Sequence, residues 1–268
     1  MRMGILGKWS LMILASTVIG GWAADPSQTD RGQTGPAPGA IGPKLVVSEQ
    51  NWEFGDVPNV GKVSHTFRLS NAGDTALTIA NVQGSCGCTS TRIQNKEMKP
   101  GDTTEVTVAF NSAAYPTGGA FIKTVSVYLV EVGAPAKTFS ISATVDTGDY
   151  GYVSLAPKFL EVSPEDNGRD TWKSMRITNR SALTQHLQVL ETAGLAKAVK
   201  LSRTQLAPGE EARIRVRISP GKTDALASSF TLALVSQEGE RRFSVPIVPL
   251  TKTKPQVGTT PQRNTSSH

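Results

Sequence analysis

From position 62 onward the chain alternates apolar and polar residues with a period of two. Val63, His65, Phe67 and Leu69 share one face of a first run. Val106, Val108 and Phe110 share a face of a second, and Ile214, Val216 and Ile218 a face of a third, with Arg213, Arg215 and Arg217 opposite. Such alternation predicts half-buried antiparallel strands, because successive side chains of a strand point to opposite faces of its sheet. Turn-forming clusters punctuate the runs at Asn71-Ala72-Gly73-Asp74, Pro100-Gly101-Asp102, Pro116-Thr117-Gly118-Gly119, Pro208-Gly209 and Gly239-Glu240. Beyond the N-terminal region no stretch has a helical period. About seven short strands in each block of roughly a hundred residues predict an all-β chain. The expected architecture is two tandem immunoglobulin-like antiparallel β-sandwich domains, over 44–148 and 152–250, with flexible N- and C-terminal segments.

The two blocks match each other. KVSHTFRLSNAGDTALTIANV from Lys62 has the character of TWKSMRITNRSALTQHLQVL from Thr171, and Asn71 and Asn179 are 108 positions apart. Pro100 and Pro208 keep the same offset, so an internal duplication is expected. At that spacing Cys86 falls on Gly194, Cys88 on Ala196, His65 on Lys173 and Met98 on Leu206. These two cysteines are the only ones in the chain. The second block therefore acts as an internal control: the fold does not need them.

The ends read differently. Arg2 and Lys8 precede an apolar run from Trp9 to Gly21, and small residues at Gly21 and Ala23 predict cleavage before Ala24. This is the pattern of a secretory signal peptide over 1–23, too short in its apolar part to span a bilayer comfortably. The expectation is an exported protein, periplasmic or extracellular, with no transmembrane segment in the mature chain. No cysteine stands near the cleavage site for a lipoprotein anchor. Residues 24–43 and 251–268 are rich in Pro, Gly and polar residues and read as a flexible spacer and a disordered polar tail.

Net charge divides unevenly. Residues 44–151 hold 8 basic and 10 acidic side chains, residues 152–250 hold 14 and 10, and the chain as a whole is +6. No basic cluster is dense enough for a nucleic-acid site, and export argues against one.

The run WEFGDV…KVSHTFRLSNAGDTALTIANVQGSCGCTS…KPGDTTEVTVAF, from Trp52 to about position 145, resembles the hydin-like immunoglobulin-type domains related to major sperm protein. It is more closely similar to a secreted bacterial family of unknown function marked by Ser-Cys-Gly-Cys-Thr. That resemblance implies an immunoglobulin-like sandwich and a non-catalytic module.

Three chemistries suit Cys86-Gly87-Cys88 in an exported chain. In an extended strand, residues two apart have Cα atoms roughly 6.5–7 Å apart, at the edge of disulfide reach, and a turn at Gly87 would shorten that distance. Such a small ring is a redox handle more than a stabiliser. Alternatively, two thiolates suit copper(I), with His65 as a third ligand, because the start of its strand and the Cys-Gly-Cys turn share one pole of a sandwich. The third reading is partly buried thiols that pack, or that cross-link to a neighbour. His65 also fits an inward-facing structural histidine, and Met98 a core residue. Tyr115 lies in a loop reaching the same pole.

Elsewhere, Arg213, Arg215 and Arg217 form a cationic stripe suited to an anionic glycan or envelope surface, or an ordinary solvated face. Tyr150 and Tyr152 are expected to pack the joint between blocks, and Asn71 and Asn179 to serve turn chemistry. The sequence has none of the nucleophile, metallohydrolase or phosphate-loop signatures, and a cysteine nucleophile would have only His65 as base. The reading is a non-catalytic tandem module that contacts an unidentified protein or the envelope surface, without a cofactor. A copper or thiol-redox protein is the alternative.

Overall fold

The alternating runs form strands wherever the period predicts them, and shorter strands fill the gaps between. In the computed structural model, the described residues are 42–130, 132, 134–146, 150–163, 170–219 and 226–250. The signal peptide, the spacer up to position 41 and the tail at 251–268 lie outside them. Among the described residues the first block has nine strands: β1 (Leu45–Val47), β2 (Asn51–Pro58), β3 (Lys62–Asn71), β4 (Leu77–Gly84), β5 (Thr89–Ile93), β6 (Glu97–Met98), β7 (Thr103–Asn111), β8 (Gly119–Leu129) and β9 (Pro135–Asp146). The second block also has nine: β10 (Val153–Ala156), β11 (Leu160–Val162), β12 (Thr171–Asn179), β13 (Gln185–Ala193), β14 (Ala196–Leu201), β15 (Gln205–Leu206), β16 (Glu211–Ile218), β17 (Ser229–Ser236) and β18 (Gly239–Pro249). Seven were expected in each; the extra ones are mostly two to four residues long, too short to show a period. The one helical element described is a 3-10 turn at Ser112–Ala114, and no described helix is long and apolar enough to cross a membrane.

Each block is a sandwich with the same strand order. One sheet is β1-β3-β7-β5 in the first and β10-β12-β16-β14 in the second. The facing sheet runs β2-β9-β8-β4-β6 in the first and β11-β18-β17-β13-β15 in the second. Inward-facing residues build two separate cores. Phe54, Phe67, Phe110 and Ile141 are among those filling the first, and Met175, Leu206, Phe230 and Phe243 among those filling the second. Met98 and Leu206 are both buried at matching positions. Pairing is antiparallel except at one edge of each sandwich, where β2 runs parallel to β9 and β11 parallel to β18, and where β18 meets β2, also in parallel.

The duplication extends to atoms at the first turn. The Asn71 side-chain amide donates to the carbonyls of Thr75 (2.8 Å) and Met98 (3.2 Å), and its Oδ1 accepts from Gly73 N–H. Asn179 donates to Leu183 (2.7 Å) and Leu206 (3.0 Å) and accepts from Ser181 N–H. Each asparagine thus satisfies three backbone groups that strand pairing cannot reach, one of them in a buried crossing and two in the part-buried turn.

The constant offset fails at one place. Thr89 pairs with Phe110 in the first sandwich, but Ala196 is the residue that pairs with the equivalent Ile218 in the second. The turn before β14 is one residue shorter than the one holding the cysteines, and a bulge between Ala196 and Ala198 restores the register. Cys88 therefore corresponds to Leu195 rather than Ala196. The carbonyl of each accepts from the end of the neighbouring strand, from Asn111 and Ser219 N–H respectively. Leu195 is buried against the second core, so an apolar side chain does there what Cys88 does against the first.

The sandwiches are joined edge to edge. Strand β18 pairs with β17 on one side, and on the other with β11 and, at Phe243↔Asp56, with β2. Two sheets thereby run on as one. Gly55 permits the approach: its φ is +68°, and a Cβ there would lie 1.9 Å from the carbonyl oxygen of Arg242.

Three outcomes test this architecture by urea denaturation of the full chain. Asn71→Ala and Asn179→Ala should each cost about 2–3 kcal/mol, in matched amounts, because each leaves buried backbone groups without partners. Gly55→Ala should cost at least about 2 kcal/mol through its left-handed backbone and the displaced β18. Cys86→Ser combined with Cys88→Ser should stay within about 1 kcal/mol of the parent, since so short a ring restrains little of the unfolded chain.

Candidate functional site

The Cys-Gly-Cys turn connects β4 to β5 at one end of the first sandwich. Cys86 and Cys88 are joined by a disulfide with their Cα atoms 5.2 Å apart. A tight turn closed by Thr89 N–H donating to the Cys86 carbonyl (3.1 Å) brings them within bonding distance. Cys88 packs on the first core, and both cysteines are partly exposed, with Ser85 and Gly87 exposed beside them. The Tyr115 hydroxyl donates to Cys88 Sγ at 3.1 Å. The Thr89 hydroxyl lies 3.5 Å from Cys86 Sγ and 3.8 Å from Cys88 Sγ. Tyr115 is held by its ring, 3.8 Å from Phe121 and 5.7 Å from Phe110 between centroids, with Lys123 Nζ 5.5 Å from the Tyr115 centroid. Phe121 and Lys123 face Tyr115 from β8, and the sequence reading singled out neither of them.

His65 is not a partner of these sulfurs. It is buried, with Nδ1 2.8 Å from Glu191 and Nε2 2.9 Å from Glu49. Its ring stacks on Trp52 at 3.8 Å with an interplanar angle of 4°, and the Arg242 guanidinium sits 5.2 Å from the Trp52 centroid. Both ring nitrogens are committed to carboxylates, one from each sandwich, so His65 ties the two sandwiches together. Copper(I) bound by Cys86, Cys88 and His65 would need the disulfide opened and one His65 ring nitrogen freed from its carboxylate. Among the described residues no group of three His, Cys, Asp or Glu is placed to hold a metal ion.

Around His65 the joint is polar. Beyond the short β1, the outward N–H groups of β3 meet side chains instead of a strand. Arg68 N–H donates to Ser48 Oγ, Thr66 N–H to Glu191 Oε1 and Ser64 N–H to Ser229 Oγ. Tyr152 donates to Asp56 Oδ2 at 2.6 Å, and Ser244 to the Phe54 carbonyl at 2.8 Å. Burial pushes the Asp56 carboxyl above its usual range, opposed by the Tyr152 hydrogen bond, and burial pushes the Tyr152 phenol up as well. Tyr152 therefore sits at the joint, and Tyr150, buried in the second core, also lies near Asp146 and Asp56 of the first sandwich.

The arginine stripe lies on the solvent face of β16, with Ala212, Ile214, Val216 and Ile218 buried beneath. The structure adds neighbours that the linear pattern did not connect. Arg176 of β12 is directly opposite Arg213, and Lys200 of β14 directly opposite Arg215. Trp172, half-exposed, is opposite Arg217, with the Arg215 guanidinium 4.9 Å and Lys200 Nζ 5.3 Å from its ring centroid. Acids touch only the margins: Glu211 is 3.9 Å from Arg176 and Asp170 is 3.9 Å from Arg217.

None of the curated proteins matches this chain. Among solved structures it is similar to a protein of unknown function from Porphyromonas gingivalis W83, at 17% identity over 76% of this chain and 98% of that one, with a TM-score of 0.31. It is also similar to the CupB2 chaperone of Pseudomonas aeruginosa (12% identity, 75% and 100% covered, TM-score 0.30). A third is the secreted serine protease VesC from Vibrio cholerae (11% identity, 76% and 51% covered, TM-score 0.32). None of these likenesses carries a role over to this chain. The sandwich that holds the Cys-Gly-Cys turn, residues 45–145, is the part that matches the family described as Protein of unknown function (DUF1573).

Proposed function

We propose that this protein is an exported, non-catalytic tandem module that binds an anionic glycan of the cell envelope through the outer face of its second sandwich. The basic and apolar pattern of residues 1–23 supports export. The arginine face supports the contact. Like charges placed directly opposite on neighbouring strands repel and destabilise a sheet. Here Arg176 faces Arg213 and Lys200 faces Arg215 on one open surface, with acids only at its margins. A polyanion laid across these cations relieves that repulsion on binding. Guanidinium groups suit carboxylate or phosphate through paired N–H donors, and the partly exposed Trp172 offers a flat ring edge to a sugar. This clustering of Arg213, Arg215 and Lys200 about a tryptophan, with acids only at the margins, is the observation that carries the reading.

The test is binding of the full chain to polygalacturonate, a uronic-acid polymer, with neutral dextran as control. Binding to the acidic polymer should weaken steeply as salt rises, as screening predicts. Arg213→Gln, Arg215→Gln and Arg217→Gln combined should weaken it at least about tenfold, equivalent to roughly 1.4 kcal/mol. Equal retention on dextran, or undiminished binding by the triple variant, would overturn the reading.

A further inference from the structure

We infer that the Cys86–Cys88 bond is a thiol–disulfide exchange site, in which Cys86 receives an incoming thiolate and Cys88 leaves with its charge held by Tyr115. The site is independent of the arginine face and of the glycan reading.

Three observations carry it. The first is access. Ser85 and Gly87 are exposed, and a Cβ added to Gly87 would meet nothing within 4 Å. The turn thus stands in open space, and Cys86 is outside the core while Cys88 packs on it. The second is the donor set. A departing thiolate is stabilised by donors already aimed at it, without rearrangement. Tyr115 O–H already points at Cys88 Sγ (3.1 Å), and the Thr89 hydroxyl is 3.8 Å away. The Phe121 and Phe110 rings hold Tyr115 in place, and the Lys123 cation lies beside it. The third is dispensability for folding. In the second sandwich Leu195 occupies the place of Cys88. Gly84 pairs with Val125 as Thr192 pairs with Phe230, so the place of Phe121, four residues before Val125, is taken by Leu226. The sulfur pair and its aromatic clamp are therefore additions to a fold that forms without them, and a disulfide that closes so short a ring contributes little as a brace.

The step balances as an exchange. A donor thiolate attacks Cys86 Sγ; the new S–S bond forms as the Cys86–Cys88 bond breaks, and the electron pair goes to Cys88 Sγ. A second donor thiolate then attacks the donor sulfur of the mixed disulfide and releases Cys86 as a thiolate. The protein has gained two electrons and, once protonated, two protons, and the two donor thiols leave as their own disulfide. Tyr115 touches the reacting sulfur and holds its charge. The reactant is a thiol, supplied by a small molecule or by an exposed cysteine of another exported protein.

The full chain is incubated with reduced glutathione in one arm and a reduced cysteine-bearing peptide in another, and thiols are alkylated and counted by intact mass. Conversion of the disulfide is expected in at least one arm, and the faster arm identifies the source. With oxidised glutathione, Cys88→Ser should form the Cys86 adduct at least about tenfold faster than Cys86→Ser forms the Cys88 adduct. Tyr115→Phe, which keeps the ring stack, should slow reduction about tenfold, the scale of one hydrogen bond to a charged group. Its thermal midpoint in the oxidised state should stay within about 2 °C. If Tyr115→Phe melts early, the comparison of the two single serine variants decides. A disulfide untouched by excess of both thiols, adducts forming equally fast at both cysteines, or a wild-type rate in a stable Tyr115→Phe would overturn the assignment.

Discussion

The open edge of β3 is the constraint on which the rest of this structure depends. β3 is ten residues long but its neighbour β1 has only three, so the outward N–H groups of Ser64, Thr66 and Arg68 have no strand to donate to. Buried backbone donors left without partners each cost on the order of 1–3 kcal/mol. The chain meets this with side chains: Ser48 from its own sandwich, and Glu191 and Ser229 from the second. Closing the edge therefore requires the second sandwich to be present and correctly placed. The same geometry brings Glu191 to His65 and leaves Ser64, on the nominally outward face, only 2% exposed.

That dependence explains what could be read in the sequence and what could not. Alternation located the long strands because burial on one face leaves a mark at every second residue. The Asn71 and Asn179 turns were legible because their partners lie within 27 residues. His65 was legible as buried but not as a bridge, since Glu191 is 126 positions away and no local pattern announces it. Strand order placed His65 on a strand that starts at the cysteine pole, but the partners of its ring are Glu49, Glu191 and Trp52. What strand order does not carry is the direction of the ring, which turns to Trp52 and two carboxylates instead. The parallel pairing at β2 and β11 was hidden for a related reason: period reports faces, not partners.

The duplicated sandwiches also show how a comparison within one chain can mislead by one residue. A fixed offset of 108 aligned Cys88 with Ala196, whereas backbone pairing aligns it with Leu195, because a shorter turn is compensated by a bulge. The consequence is physical. Ala196 in place of Cys88 would have meant that the second copy simply lacks a filler at that pole. Leu195 means that both copies seat a side chain against the core there, a buried leucine in the second and a partly exposed sulfur in the first.

The joint differs from either core in being held by directional contacts. Tyr152 to Asp56, Ser244 to Phe54, Glu191 to Thr66 and the His65 bridge each have a preferred geometry, whereas apolar packing tolerates sliding. Burial raises the Asp56 carboxyl above its ordinary range, so the joint favours the neutral acid, while the Tyr152 donor favours the charged one. Sign follows from which influence is larger: with burial dominant, the contribution of Asp56 to stability is complete below the ordinary carboxyl range and declines as pH rises through the raised value. A joint assembled from such groups is specific about angle without being strong in proportion to its contacts. It is suited to hold an arginine face and a disulfide turn in one fixed relation, which two sandwiches on a plain linker would not do.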